Sequence, residues 1–235
     1  MSETPAPAAP APAVKAPAGR AYPPAARPER PWPAQLSVGV AVALQVALPG
    51  RLEAGPRWLV PALELSLLAV LVIATPRQLQ REHSRRRALA LTLIGVVSFA
   101  NVASLVLLSH ELLQHGSPNA RQLISAGALI WLTNVIIFGL WYWETDRGGP
   151  GVRAAGHDQA PDFLFPQMSD DRVEPLDWRP QFLDYLYVAL TNATAFSPTD
   201  TMPLTVRAKS IMGIQSLVSL VTIGLVVARA VNILQ

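Results

Sequence analysis

The chain has 235 residues, 51% hydrophobic and 15% charged, with a formal net charge of +3 and no cysteine. Soluble domains carry about 25% charged residues, so this composition excludes a disordered chain and argues against an ordinary soluble domain. The missing cysteines exclude disulfide frameworks, thiolate metal sites and cysteine nucleophiles.

Residues 1–35 hold ten of the 22 prolines, interleaved with alanine. Proline fixes φ and removes a backbone donor, and a Pro/Ala repeat cannot bury a core, so a disordered N-terminal arm is expected. The arm does not follow the charged, apolar, small-residue order of a signal peptide.

Six hydrophobic segments follow. A helix needs about 20 residues to cross about 30 Å of hydrocarbon. Segment 36–50 is uncharged but short, and crosses only by thinning the bilayer. Segment 57–75 is closed by Pro76, and 88–113 is long enough to cross with tilt. Segment 122–143 ends on Trp141, Tyr142 and Trp143, aromatic residues that settle at headgroup level. Residues 144–180 carry eight acids and four arginines and read as a polar loop, too short and polar for a core of its own. Segment 182–197 is apolar yet contains Asp184, Thr191, Asn192 and Thr194, and is either a fifth span or a re-entrant segment. Segment 210–234 is a strong final span. The expected fold is an all-α polytopic membrane helix bundle.

With the N-terminus cytoplasmic and six spans, fourteen Lys and Arg fall inside and five outside (Arg51, Arg57, Arg121, Arg207 and Lys209). That bias supports a cytoplasmic N-terminus and C-terminus. The anchor is the cluster Arg77, Arg81, Arg85, Arg86 and Arg87, which suits anionic headgroups at the membrane surface. The basic charge balance is therefore an orientation signal, and no nucleic-acid partner is expected. Arginine outnumbers lysine 17 to 2, a bias of GC-rich bacterial genomes, which points to a bacterial cytoplasmic membrane.

His110-Glu111-Leu112-Leu113-Gln114-His115 resembles a zinc hydrolase helix, but the histidines are five apart rather than four and do not share a face. No nucleophile elbow, phosphate-cradling loop or carboxylate pair appears, so neither an enzyme nor a metal or cofactor is expected. Glu64 lies inside the second segment, where a carboxylate is costly and faces the bundle interior, carries a proton or reaches water. In the last segment Lys209, Gly213, Ser216, Ser219, Thr222 and Arg229 recur at helical spacing with Gln215 beside them, a face suited to helix packing or to a water-lined path. The densest polar cluster is Asp184, Thr191, Asn192, Thr194, Ser197, Thr199 and Asp200. Pro198 and Pro203 force the backbone out of helix there, and such backbone must be buried in protein or line a cavity. These seven residues, with Glu64 as an outlying partner, are the candidates for offering oxygen ligands to a monovalent cation or proton.

Two resemblances follow. Trp131 to Trp143, Asp162-Phe163-Leu164-Phe165-Pro166, Phe182-Leu183-Asp184-Tyr185-Leu186-Tyr187 and the Thr-rich run through Ser197 and Asp200 resemble an uncharacterised family of bacterial integral membrane proteins, which implies a multi-span protein and no stated activity. Locally, Asp200, Pro203 and Thr205 before a final helix resemble the pore loop and inner helix of two-span potassium channels. The segment between Phe182 and Met212 contains no glycine, however, and a carbonyl-lined filter requires glycines. A channel-like or transport-like membrane protein, forming a homo-oligomer, is the first expectation. The alternative is a structural or scaffolding protein that assembles through its last span.

Overall fold

The computed structural model describes residues 29–49, 59–74, 83–113, 120–154, 159–168, 178–194 and 200–233. Helix α1 spans Trp32–Val46, with Pro31 at its cap and Pro33 in its first turn. The first amides of a helix lack intrahelical partners, so proline costs nothing there. Helix α2 spans Leu59–Ala74, with Pro61 similarly placed. Helices α3, His83–Leu113, and α4, Ala120–Thr145, are the longest of the first half. Helix α5, Pro150–Ala154, is short. Helix α6 is Phe182–Thr194 and α7 is Val206–Ile233. Strand β1, Phe163–Leu164, pairs antiparallel with β2, Met202–Pro203. Ser197, Thr199, Arg77 and Arg81, and the arm before Glu29, lie outside the described residues.

Three stretches are long and apolar enough to cross a membrane: Arg85–Leu112, Ile124–Gly148 and Val206–Ala228. Their surface is inverted relative to a soluble protein. On α7, Leu217 and Leu220 are 63% and 69% exposed, whereas Gln215, Ser219 and Thr222 are buried. An apolar exterior over a polar interior is the arrangement hydrocarbon favours and water does not.

Helix α4 is the central post. It runs antiparallel to α7, as the pairs Thr145 with Arg207, Asn134 with Ser219 and Gly127 with Val226 show. A Cβ on Gly127 would lie 2.2 Å from the Val226 side chain, so glycine there permits the close crossing. Helix α4 is also antiparallel to α6: Trp143 meets Phe182 edge-on at 5.9 Å, and Gly139 admits the Leu186 backbone.

Helices α6 and α7 therefore run in the same direction from the end where α4 finishes. Tyr185 near the start of α6 reaches Asp146, and Arg207 at the start of α7 reaches Thr145 and Asp162. Strand β2, just before α7, is back at that end beside β1. Helix α6 thus enters the bundle and the chain returns to the side it came from. Its 13 residues reach about 20 Å, short of a full crossing. Of the two alternatives for 182–197, a span or a re-entrant segment, the span, and with it the set of six spans, is not confirmed; Arg207 and Lys209 share the end that holds Arg86 and Arg87. Arg87 places that end of α3 by approaching Gly149, and Glu29 before α1 joins it through Arg153.

The described residues of the 144–168 stretch form more than a polar loop. Arg147, Gly148 and Gly149 take positive φ and reverse the chain after α4. Phe163 and Phe165 are buried against Tyr185, in the core formed with α1, α3, α4 and α6. The segment borrows the bundle's core instead of building its own.

Candidate functional site

The polar groups fall into three sets. The first closes the end of the bundle. Asp146 is fully buried: its Oδ2 accepts from the Tyr185 hydroxyl at 2.6 Å and its Oδ1 from the Asp162 amide at 2.8 Å. Asp162 binds Arg207, and accepts from the Thr205 hydroxyl at 2.5 Å and the Arg147 amide at 3.2 Å. Arg153 donates to Glu29 at 2.7 and 2.9 Å and to the carbonyls of Trp143 and Asp146 at 2.8 and 2.7 Å. The Trp143 indole also donates to Glu29 at 2.9 Å. Burial opposes the Arg153 charge, but Tyr185, Glu29 and Asp146 outweigh it and hold the guanidinium pKa above its usual value. These partners make the guanidinium a permanent, fully engaged cation.

The second set lies deeper, where α6 meets α4 and α7. The Asn192 amide group donates to Gln215 Oε1 at 2.8 Å, to the Met212 carbonyl at 3.0 Å and to the Tyr142 hydroxyl at 3.3 Å. Its carbonyl accepts from Ser216 at 3.2 Å. Gln215 accepts from the Tyr142 hydroxyl and donates to the Ala189 carbonyl at 2.8 Å. One layer further, Asn134 donates to Ser219 at 2.9 Å. This network seats the inner part of α6 between the two long helices.

Among the described residues of the candidate cluster, Asn192 alone joins this network. Thr191 and Thr194 return their hydroxyls to their own helix, Thr191 to the Tyr187 carbonyl and Thr194 to that of Thr191. Asp184 accepts from the Gln181 amide at 2.6 Å, which caps the start of α6. Asp200 is exposed beside β2, at the end where α6 begins, so the structure separates it from Asn192 by the length of the hairpin. The arginines divide as well. Arg85 is exposed, whereas Arg86 and Arg87 line a cleft with Glu144 and Gly148 to Val152.

The third set is in α1 to α3. Glu64 is fully buried and neither carboxyl oxygen has a hydrogen-bond partner. Buried Gln45 and Asn101 each keep an unpartnered side-chain oxygen. No group of three or more His, Cys, Asp or Glu suited to a metal ion occurs among the described residues.

Comparison with protein-family models, with curated proteins and with solved structures finds no match for this chain.

The sequence reading missed Tyr142, Asp146, Arg153 and Asp162. Polar residues of the 144–180 stretch read as solvated because hydropathy does not see partners distant in the chain. Gln215 was visible beside the stripe of α7, and the buried part of that stripe does face α4.

Proposed function

We propose that the chain is a channel-like or transport-like integral membrane protein whose conducting element is the hairpin formed by α6 and its return to β2. The observation that carries this reading is that α6 and α7 start at the same end of the bundle. A half-helix that stops inside a bundle directs the negative end of its dipole, and its last carbonyls, into the interior, where they favour a cation. Thr194 and Asp200 bracket the returning limb. Asn192 and Gln215 hold the half-helix in place and do not themselves conduct.

Charge distribution supports the orientation. With α6 as a hairpin, Lys and Arg at the arginine end number fifteen, against four elsewhere (Arg51, Arg57, Arg121 and Arg229). That is a stronger bias than six spans give, and it favours a cytoplasmic N-terminus with the C-terminus outside. The test is flux of H+, Na+ and K+ into liposomes containing the purified protein. We expect flux that falls about tenfold or more in Asp200→Asn and Thr194→Ala, a loss of about 1.4 kcal/mol or more in barrier terms. Absence of flux for all three ions overturns the reading.

A scaffold is the second reading, favoured by the complete pairing of Asn192 and Gln215. The polar face of α7 is used within the chain, so assembly through this helix would use Ile214, Leu217, Leu220 and Val221, which are exposed. A stable multimer in detergent, dissociated by polar substitutions at Leu217 and Leu220, is its expected result.

A further inference from the structure

Helices α1, α2 and α3 hold a surplus of acceptors. Gln45 Oε1, both oxygens of Glu64 and Asn101 Oδ1 are buried with no donor. A buried polar group without a partner costs about 1–3 kcal/mol, and an unpaired carboxylate far more.

The three residues flank one apolar core. Gln45 donates its amide to the Val97 carbonyl at 3.2 Å, and Asn101 stands one turn beyond Val97 on the same face of α3. Leu68, one turn from Glu64 on α2, packs on the core that contains Ala41 and Val97. Gln45 is one turn from Ala41. Each of the three helices thus carries a buried, oxygen-bearing side chain one turn from a residue in or against that core. Among the described residues of these three helices, no fixed charge lies near Glu64 in sequence register. Helix α1 has no ionisable residue, α2 has Glu64 alone, and α3 has none between Ala88 and Ser109, with His110 and Glu111 following about 13 Å beyond Asn101.

We propose that Gln45, Glu64 and Asn101 form a binding site for one monovalent cation, a proton or a dehydrated alkali ion. One carboxylate matches a single positive charge. Four oxygens without donors suit either an alkali ion, which takes them as ligands, or a proton on Glu64 donated to one of the amide oxygens. The site lies on different helices from the α6 hairpin and stands or falls separately from it.

The test uses the purified full chain in liposomes and dicyclohexylcarbodiimide, an apolar reagent whose C=N bond takes up the O–H of a protonated carboxyl. Peptide mapping is expected to find the label at Glu64, declining as pH rises from mildly acid to mildly alkaline. Slower labelling on adding Na+ or K+ at fixed pH identifies an alkali ion as the ligand, and indifference to both identifies the proton. Gln45→Leu and Asn101→Leu each remove one oxygen and are expected to move the pH or ion midpoint by about tenfold in concentration, one pH unit. No label at Glu64, or a label insensitive to both pH and ions, overturns the site. Midpoints unmoved by both variants overturn the role of the two amides.

Discussion

Polar residues are buried in both halves of the bundle, and their bonding differs. Between α4, α6 and α7, Asn192 and Gln215 use both the oxygen and the nitrogen of their amides, and Tyr142 and Ser216 complete the set. Between α1, α2 and α3, Glu64 has no partner at all, and Gln45 and Asn101 keep free oxygens. A saturated network fixes geometry, because any displacement breaks bonds that water cannot replace. An unsaturated one is open to a ligand. The density of polar residues in the sequence points to the first region as the site, whereas their bonding assigns it to holding α6 in place.

This contrast is tested first at the closed end of the bundle, where the largest effect is expected. Arg153→Ala leaves the half-buried Glu29 without its cation and the carbonyls of Trp143 and Asp146 without their donor, and should destabilise the protein by about 3 kcal/mol, read as a lower midpoint of thermal unfolding in detergent. Gln215→Leu is next: it strips partners from Tyr142, Asn192 and the Ala189 carbonyl and should cost about 1–2 kcal/mol, the upper range for interhelical hydrogen bonds in membranes. Asn101→Leu should be neutral or stabilising in the same assay, since it removes an unpaired acceptor from an apolar layer. Equal losses for Gln215→Leu and Asn101→Leu would erase the distinction between the two halves.

Much of the helical architecture was legible because spans depend on composition, which hydropathy reads directly. Helix α3 nevertheless starts at His83, ahead of its apolar run, because helix continues through Arg85 to Arg87 beyond the hydrophobic stretch. Helix α7 likewise starts at Val206, where the Thr205 hydroxyl caps it by accepting from the Ala208 amide. The direction of return of α6 was not legible. A 13-residue apolar helix has the same hydropathy whether the chain continues across or turns back. What decides it is pairing between residues far apart in sequence: Asp162 with Arg207, Asp146 with Tyr185, and β1 with β2. The candidate cluster was legible as a concentration of polar residues but not as separate roles, since only neighbouring carbonyls and helices distinguish a cap at Asp184 from a strut at Asn192.

The hairpin is tested most directly by single cysteines at Gln181, before α6, and at Val206, the first residue of α7. Both are exposed, and the native chain has no cysteine to interfere. In sealed vesicles of known orientation, a membrane-impermeant thiol reagent should label both positions from the same side. Labelling of Gln181→Cys from one side and Val206→Cys from the other would mean that α6 crosses, and would contradict the account.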